Sequence, residues 1–125
     1  MTALDYFKAK SEAYISPREL TARIAHDLAS VFVIDVRIGP RPTRIPGAID
    51  LPQPEISARL DELPKDRLLV LYCWETWCSL ATQAAIPLLE AGFTVQELFG
   101  GIAAWNALHL PTEATDGAKP IACEC

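Results

Sequence analysis

The chain has 125 residues, of which 50% are hydrophobic and 22% charged, and its formal net charge is −5. This length and composition predict one globular domain that can bury its own core. The acidic balance argues against nucleic acid or an anionic membrane as a partner, because basic patches bind both. No apolar run is long enough to span a membrane, and the N-terminal sequence MTALDYFKAK has charges where a secretory signal needs an apolar stretch. We therefore expect a cytoplasmic protein.

Patterns typical of helices alternate along the chain with patterns typical of buried strands. In chain order, the sequence predicts a leading helical segment over residues 1–15, a helix from Ser16 to about Leu28, a strand over 31–35 and a Pro- and Gly-rich loop over 39–54, with at most a short strand over 48–50. It then predicts a short helix up to Pro64, a strand over 68–72, a helix over 79–91, a strand over 94–98 and a short helix over 100–110. This alternation predicts an α/β fold: a mostly parallel central sheet with helices on both faces, in three α/β/α layers. We expect one domain over residues 1–111 and a mobile tail over the polar residues 112–125.

Cys73 lies where the predicted strand 68–72 ends and the next helix approaches. Ligands of parallel sheets bind at the carboxyl ends of the strands. The N–H groups of a curled loop and of a helix N-terminus favour the thiolate, which is the nucleophilic form of cysteine. Glu75 opposes this effect, because a nearby carboxylate disfavours a thiolate. The position favours a nucleophilic Cys73, and the alternative is a small buried apolar residue.

Several motifs occur in one order between Ser16 and Pro111: VIDVR, RIPGAIDLP, LVLYC, AGFTVQELFGGIAAW and a closing LP. Together they resemble a single-domain rhodanese, which is a sulfurtransferase. The resemblance implies a rhodanese-like fold in which Cys73 takes a sulfane sulfur from thiosulfate or a low-molecular-weight persulfide, carries it as a persulfide, and passes it to a thiol or cyanide. It implies no metal and no organic cofactor, and it leaves room for an acceptor protein. It also implies that Asp35 holds the active-site loops through hydrogen bonds.

The loop after Cys73 departs from a common family form, which resembles C-x-x-G-x-R-S. Here Thr76 replaces the glycine and Cys78 stands where an arginine often lies, in the loop Cys73, Trp74, Glu75, Thr76, Trp77, Cys78, Ser79. No Lys or Arg occurs from Leu68 to Ala118. An anion at Cys73 therefore depends on the N–H groups of residues 74–79, or on cations from the earlier loop, namely Arg37, Arg41 and Arg44. A phosphatase is disfavoured, because related phosphatases end this loop with an arginine.

The loop more closely resembles that of a subset of small rhodanese-like proteins with a CWxxxC loop and a cysteine-rich C-terminal end. Cys78 is expected either to resolve an oxidised or persulfidated Cys73 or to pack beneath the loop as an apolar residue. Cys123 and Cys125 follow on the tail. The tail is long enough to bring one of these thiols to Cys73 as a sulfur acceptor, and the alternative is that the two thiols have no role. Zinc binding by all four cysteines is disfavoured, because the spacing C-x-C suits zinc poorly.

Two other classes of function remain open from the residues alone. Cys73 and Cys78 are also consistent with a redox sensor or reductase that cycles between dithiol and disulfide. The loop tryptophans Trp74 and Trp77 are consistent with a non-catalytic module that binds a protein partner. Transfer needs only Cys73, the redox function needs Cys78 as well, and the binding function needs neither.

Overall fold

A computed structural model describes residues 1–115 of the chain. Its strands are β1 (Tyr14–Ile15), β2 (Val31–Asp35), β3 (Thr43–Arg44), β4 (Ile49–Asp50), β5 (Leu68–Tyr72), β6 (Val95–Leu98) and β7 (Glu113–Ala114). Five of them form one parallel sheet in the order β1-β6-β5-β2-β4. The predicted α/β fold with a parallel central sheet is confirmed, and strands 31–35 and 68–72 have the predicted bounds.

Four α-helices and three short 3₁₀ helices accompany this sheet. The α-helices are α1 (Ala3–Ala13), α2 (Pro17–His26), α3 (Leu80–Glu90) and α4 (Gly101–Ala107), and the 3₁₀ helices are Leu28–Ser30, Gln53–Ala58 and Leu60–Glu62. The last two replace the single short helix that the sequence predicts before Pro64. Within residues 1–115, no helix has both the length and the apolar character needed to cross a membrane.

Side chains of β5 alternate between two hydrophobic cores, one on each face of the sheet, as the two-residue period of a strand requires. Leu69 and Leu71 pack in the core under α3, which also contains both Cys73 and Cys78. Val70 and Tyr72 pack in the opposite core with residues of α2 and α4. The backbone of β5 thus ends between two packed layers, and Cys73 follows it on the α3 side.

The structure differs from the prediction at both ends of the domain. The leading helical segment predicted over residues 1–15 ends at Ala13, because Tyr14–Ile15 pair with β6 as an edge strand and bury Ile15. The tail predicted from residue 112 begins with a strand, because Glu113–Ala114 pair antiparallel with Thr43–Arg44. Cys123 and Cys125 lie outside the described residues.

Candidate active site

A disulfide joins Cys73, directly after β5, to Cys78, just before α3. Both side chains are buried, and their Cα atoms lie 6.4 Å apart. The Cys78 N–H donates to the carbonyl of Glu75 at 3.1 Å, which closes the turn between the cysteines. This N–H, one of those expected to hold charge on Cys73, is therefore engaged within the loop. The structure brings the two cysteines together, while the resolving role of Cys78 stays a prediction.

The remaining loop side chains differ in exposure. Trp74 and Glu75 are half-buried, whereas Thr76 is exposed. Trp77 is 82% exposed, so it does not anchor the loop in a core. Ser79 precedes α3, and its hydroxyl accepts a hydrogen bond from the Gln83 amide at 2.7 Å.

The first turn of α4 holds the start of the Cys73 loop. Ile102 N–H donates to the Cys73 carbonyl at 3.0 Å, and Ala103 N–H donates to the Trp74 carbonyl at 2.9 Å. Gly101 has φ of +61°, and a Cβ added there would lie 2.7 Å from the Cys73 carbonyl oxygen. Only glycine permits this approach without displacement, so the second glycine of LFGG allows α4 to contact the start of the loop.

Asp35, at the end of β2, is completely buried and receives several charged and polar donors. Arg37 binds it with two side-chain bonds, Nε to Oδ1 at 2.9 Å and Nη2 to Oδ2 at 2.7 Å. The Tyr72 hydroxyl donates to Oδ2 at 3.0 Å and accepts from Ile45 N–H at 3.1 Å. Arg41 Nε also reaches Oδ2, at 3.3 Å. A buried carboxylate with this many donors fixes the ends of β2 and β5 and the following loop to one another.

Tyr72 keeps its proton in this arrangement. Burial raises the pKa of the Tyr72 phenol well above its usual range, and the charge of Asp35 raises it further. The hydroxyl therefore remains a donor to the carboxylate at all ordinary pH values. This contact cannot be predicted from the sequence, because Tyr72 is simply one more large residue in a predicted buried strand.

Trp74 connects the charged cluster to the cysteine loop. The guanidinium carbon of Arg37 lies 4.6 Å from the centre of the Trp74 ring and 5.3 Å from that of Tyr72. The indole Nε1 of Trp74 is buried without a hydrogen-bond partner among the described residues. Cation–π contact with a buried guanidinium is therefore the polar interaction that the structure gives this ring.

The arginines of the preceding loop were expected to support an anion at Cys73, but in this structure they pair with carboxylates. Arg37 and Arg41 are bound to Asp35, and Arg41 also pairs with Asp50. Arg44 was expected to support the site, but it pairs with Asp50 of β4 and with Glu113 of β7. The reason is local charge: three arginines in one loop are matched by three carboxylates around it.

A small cleft opens beside Cys73 between the loop, β1, β6 and the start of α4. It is lined by Tyr14, Cys73, Glu75, Thr76, Glu97, Leu98, Phe99, Gly100 and Gly101. No Lys or Arg is among the described residues of this lining. Tyr14 and Glu97 were missed as site residues, although register could have indicated Glu97: it pairs with Leu71, two positions before Cys73 in the neighbouring strand.

Within residues 1–115, no group of three or more Cys, His, Asp or Glu side chains is placed to hold a metal ion. Two of the four cysteines of the disfavoured zinc site lie beyond these residues.

A sequence model of the rhodanese-like domain matches residues 16–108. A protein named sulfurtransferase from Allochromatium vinosum is 36% identical over 106 residues, which cover 82% of this chain and 96% of that relative. An HTH-type transcriptional regulator of Mycobacterium tuberculosis is 33% identical over 115 residues, which cover 90% of this chain and 50% of the regulator. This chain therefore spans about half the length of that regulator.

Solved structures agree with these sequence matches. A protein from Lactobacillus plantarum superposes with a TM-score of 0.85 at 29% identity, covering 90% of this chain and 96% of that chain. The rhodanese-like domain of an Anabaena protein superposes with a TM-score of 0.71 at 28% identity, covering 91% and 89% respectively.

Proposed function

This chain belongs to the rhodanese-like domain family, and from that premise we propose that Cys73 carries a sulfane sulfur as a persulfide between a small donor and an acceptor. The family match and the sulfurtransferase relative support a sulfurtransferase-type function. The observation that carries the assignment to Cys73 is its place at the end of β5, beside a cleft and held by the first turn of α4. We propose no metal or organic cofactor, because the sulfur chemistry needs only a thiolate.

The reaction has two covalent half-reactions. The Cys73 thiolate attacks the sulfane sulfur of the donor and forms a new S–S bond. The donor's own bond to that sulfur breaks, which releases sulfite from thiosulfate or the parent thiolate from a persulfide. A thiol or cyanide then attacks the outer sulfur, and the bond electrons return to Cys73 as thiolate. Such a cycle predicts ping-pong kinetics.

A persulfide donor fits the site better than thiosulfate does. Two carboxyl side chains, Glu75 and Glu97, line the cleft beside Cys73. The nearby arginines of the preceding loop are paired with carboxylates. A compact dianionic donor gains no cationic partner there, whereas a persulfide brings at most one negative charge at its reacting end.

The disulfide must open before Cys73 can act. Two thiols of an external reductant convert the Cys73–Cys78 bond to two thiols and are themselves joined as a disulfide. We expect this chemistry in the cytoplasm, because a reducing compartment supplies such thiols. An acceptor protein, or the thiols of Cys123 and Cys125, remain proposed acceptors.

The bond between Cys73 and Cys78 favours a second candidate function, a dithiol–disulfide reductase or sensor. In this case Cys78 attacks the inner sulfur of a Cys73 persulfide, which leaves the protein disulfide and releases hydrogen sulfide. An external thiol pair then regenerates the dithiol. This function requires Cys78, whereas simple transfer does not.

Intact-mass measurement separates the candidates. Reduced wild type, Cys73→Ser and Cys78→Ser are incubated with thiosulfate or with glutathione persulfide, and the gain of one sulfur is followed. Transfer predicts a gain that needs Cys73 and persists in Cys78→Ser. The reductase predicts sulfide release and a disulfide that both require Cys78. Absence of any gain or sulfide with either donor contradicts both and favours a binding module.

A further inference from the structure

We propose that Glu97 is a catalytic proton shuttle, moving the proton of an acceptor thiol to the sulfur that leaves Cys73. The proposal rests on the proposed function, because it concerns the second half-reaction at the same cysteine. It adds a residue that no feature of the loop motif identifies, and it concerns thiol acceptors, whose proton must be removed before their sulfur attacks.

The strand register places Glu97 on the same face of the sheet as Cys73. Glu97 pairs with Leu71 of β5, and Leu71 packs in the same core as Cys73. The side chain of Glu97 accepts a hydrogen bond at Oε2 from the hydroxyl of Thr82, on the helix that covers this face. Glu97 and Cys73 both line the small cleft, where the proposed acceptor thiol would meet both groups.

One of the two carboxylate oxygens of Glu97 can accept a proton. Thr82 occupies Oε2 at 3.0 Å, and Oε1 has no partner among the described residues. Burial raises the pKa of the Glu97 carboxyl, and the Thr82 hydrogen bond opposes this only in part. A carboxyl with a raised pKa is closer to the operating pH than an ordinary glutamate, which makes it a better acid and base.

The groups that face Glu97 are acidic or neutral. Tyr14 of β1 is paired beside it, and burial together with the charge of Glu97 raises the pKa of the Tyr14 phenol. Glu75 of the loop shares the Cys73 cleft, and Glu12 at the end of α1 shares the neighbouring groove. No lysine or arginine is among the described residues that line either space. Nothing therefore holds Glu97 as a permanently paired anion.

The proposed discharge of Cys73 transfers one sulfur atom and one proton. The Glu97 carboxylate accepts the proton of the acceptor thiol, and the resulting thiolate attacks the outer sulfur of the Cys73 persulfide. The S–S bond to Cys73 breaks, and its electron pair remains on Cys73 as thiolate. The proton passes from Glu97 to the transferred sulfur. A Cys73 persulfide anion and a thiol thus become a Cys73 thiolate and a new persulfide, with no net oxidation.

The test is a single-turnover experiment on the full chain with Cys78→Ser, Cys123→Ser and Cys125→Ser, so that only an external thiol removes the sulfur. Cys73 is loaded with glutathione persulfide, the donor is removed, and discharge to excess 2-mercaptoethanol is followed by intact mass across pH 5 to 9. We expect Glu97→Gln still to load with sulfur but to discharge at least about tenfold more slowly. Its rate should follow the thiolate fraction of 2-mercaptoethanol and rise steadily up to pH 9, whereas the rate of the parent should level off once Glu97 is ionised. Glu97→Asp should restore part of the rate and part of the parent's pH profile.

Glu90→Gln is the matched control, because Glu90 is an exposed carboxyl at the end of α3, away from the cleft lining. Discharge of Glu97→Gln within twofold of the parent overturns the shuttle. Slowing by the same factor at every pH, with the shape of the pH profile unchanged, also overturns it and indicates a positioning residue. Failure of the parent to load overturns the proposed function itself, and the shuttle with it; the loading measurement distinguishes the two failures.

Discussion

The Arg37 guanidinium lies 4.6 Å from the Trp74 ring, so an ion pair at the end of β2 supports the first residue after Cys73. The same guanidinium donates to the backbone carbonyl of Thr43 at 2.7 Å. One buried side chain therefore joins the end of β2, the Pro- and Gly-rich loop and the cysteine loop. Stability of the fold and geometry of the site are linked through this residue.

Replacement of Arg37 by methionine should lower the free energy of unfolding by about 3–5 kcal/mol, because it leaves the buried Asp35 carboxylate without its two-point partner. Urea unfolding of the reduced protein measures this. Arg59→Met is the matched control: Arg59 also pairs with carboxylates, Glu55 and Glu62, but its side chain is 35% exposed against 2% for Arg37. Equal effects of the two substitutions would contradict the importance of the buried pair.

Gly101→Ala should destabilise the protein more than Gly47→Ala. Both glycines have positive φ, +61° and +80°, so each alanine carries a backbone cost of about 1–2 kcal/mol. At Gly47 an added Cβ meets nothing within 4 Å, whereas at Gly101 it meets the Cys73 carbonyl oxygen at 2.7 Å. We expect an extra loss of about 1–3 kcal/mol at Gly101 from this overlap.

Gly101→Ala should also slow sulfur loading of Cys73, measured by intact mass, while Gly47→Ala loads at the wild-type rate. Identical loading of the two variants would show that the loop tolerates displacement from α4.

Much of this fold could be predicted because its signals are local. The runs over 31–35 and 68–72 are continuous and apolar, and they became strands with those bounds. Tyr14–Ile15 could not be assigned in this way, because two residues have no period and their strand exists only through pairing with β6. Glu113–Ala114 is similar, since its partner lies about seventy residues earlier, at Thr43–Arg44.

In the candidate site, too, local features could be predicted from the sequence and contacts between distant segments could not. Cys73 and its loop could be identified from order along the chain and from resemblance. The contacts of Asp35 with Tyr72 and of Arg37 with Trp74 depend on which strand ends meet, so sequence spacing does not reveal them. Arg44 looked equivalent to Arg37 in sequence, but the carboxylate of Glu113 binds it in the second sheet.

Tyr72→Phe should lower the free energy of unfolding by about 1–3 kcal/mol, because it removes a donor from Asp35 and leaves the buried Ile45 N–H without its acceptor. Urea unfolding measures the change. Tyr6→Phe is the control: Tyr6 lies on α1 and is 48% exposed, so we expect a negligible effect. A neutral result at Tyr72 would mean that water replaces the hydroxyl, and that the cluster is less dry than its burial indicates.

The pH dependence of stability should reveal the half-buried carboxyl of Glu97 independently of any activity. Burial raises its pKa in the folded protein, so the folded state binds this proton more tightly than the unfolded state does. The contribution of Glu97 to the free energy of unfolding is therefore fully present below the ordinary glutamate pKa. It is lost as pH rises through the raised pKa of the folded protein, and it does not return above that pKa. Glu97→Gln removes the titration.

The unfolding free energy of Glu97→Gln, relative to wild type, should therefore increase as pH rises from about 4 to about 7. Urea unfolding at a series of pH values measures the difference, and Glu90→Gln removes the same charge from an exposed position as a control. A difference that decreases with pH would mean that the folded protein stabilises the Glu97 carboxylate. Glu97 would then hold its negative charge at neutral pH as a fixed feature of the cleft, and a proton shuttle at this position would lose its physical basis.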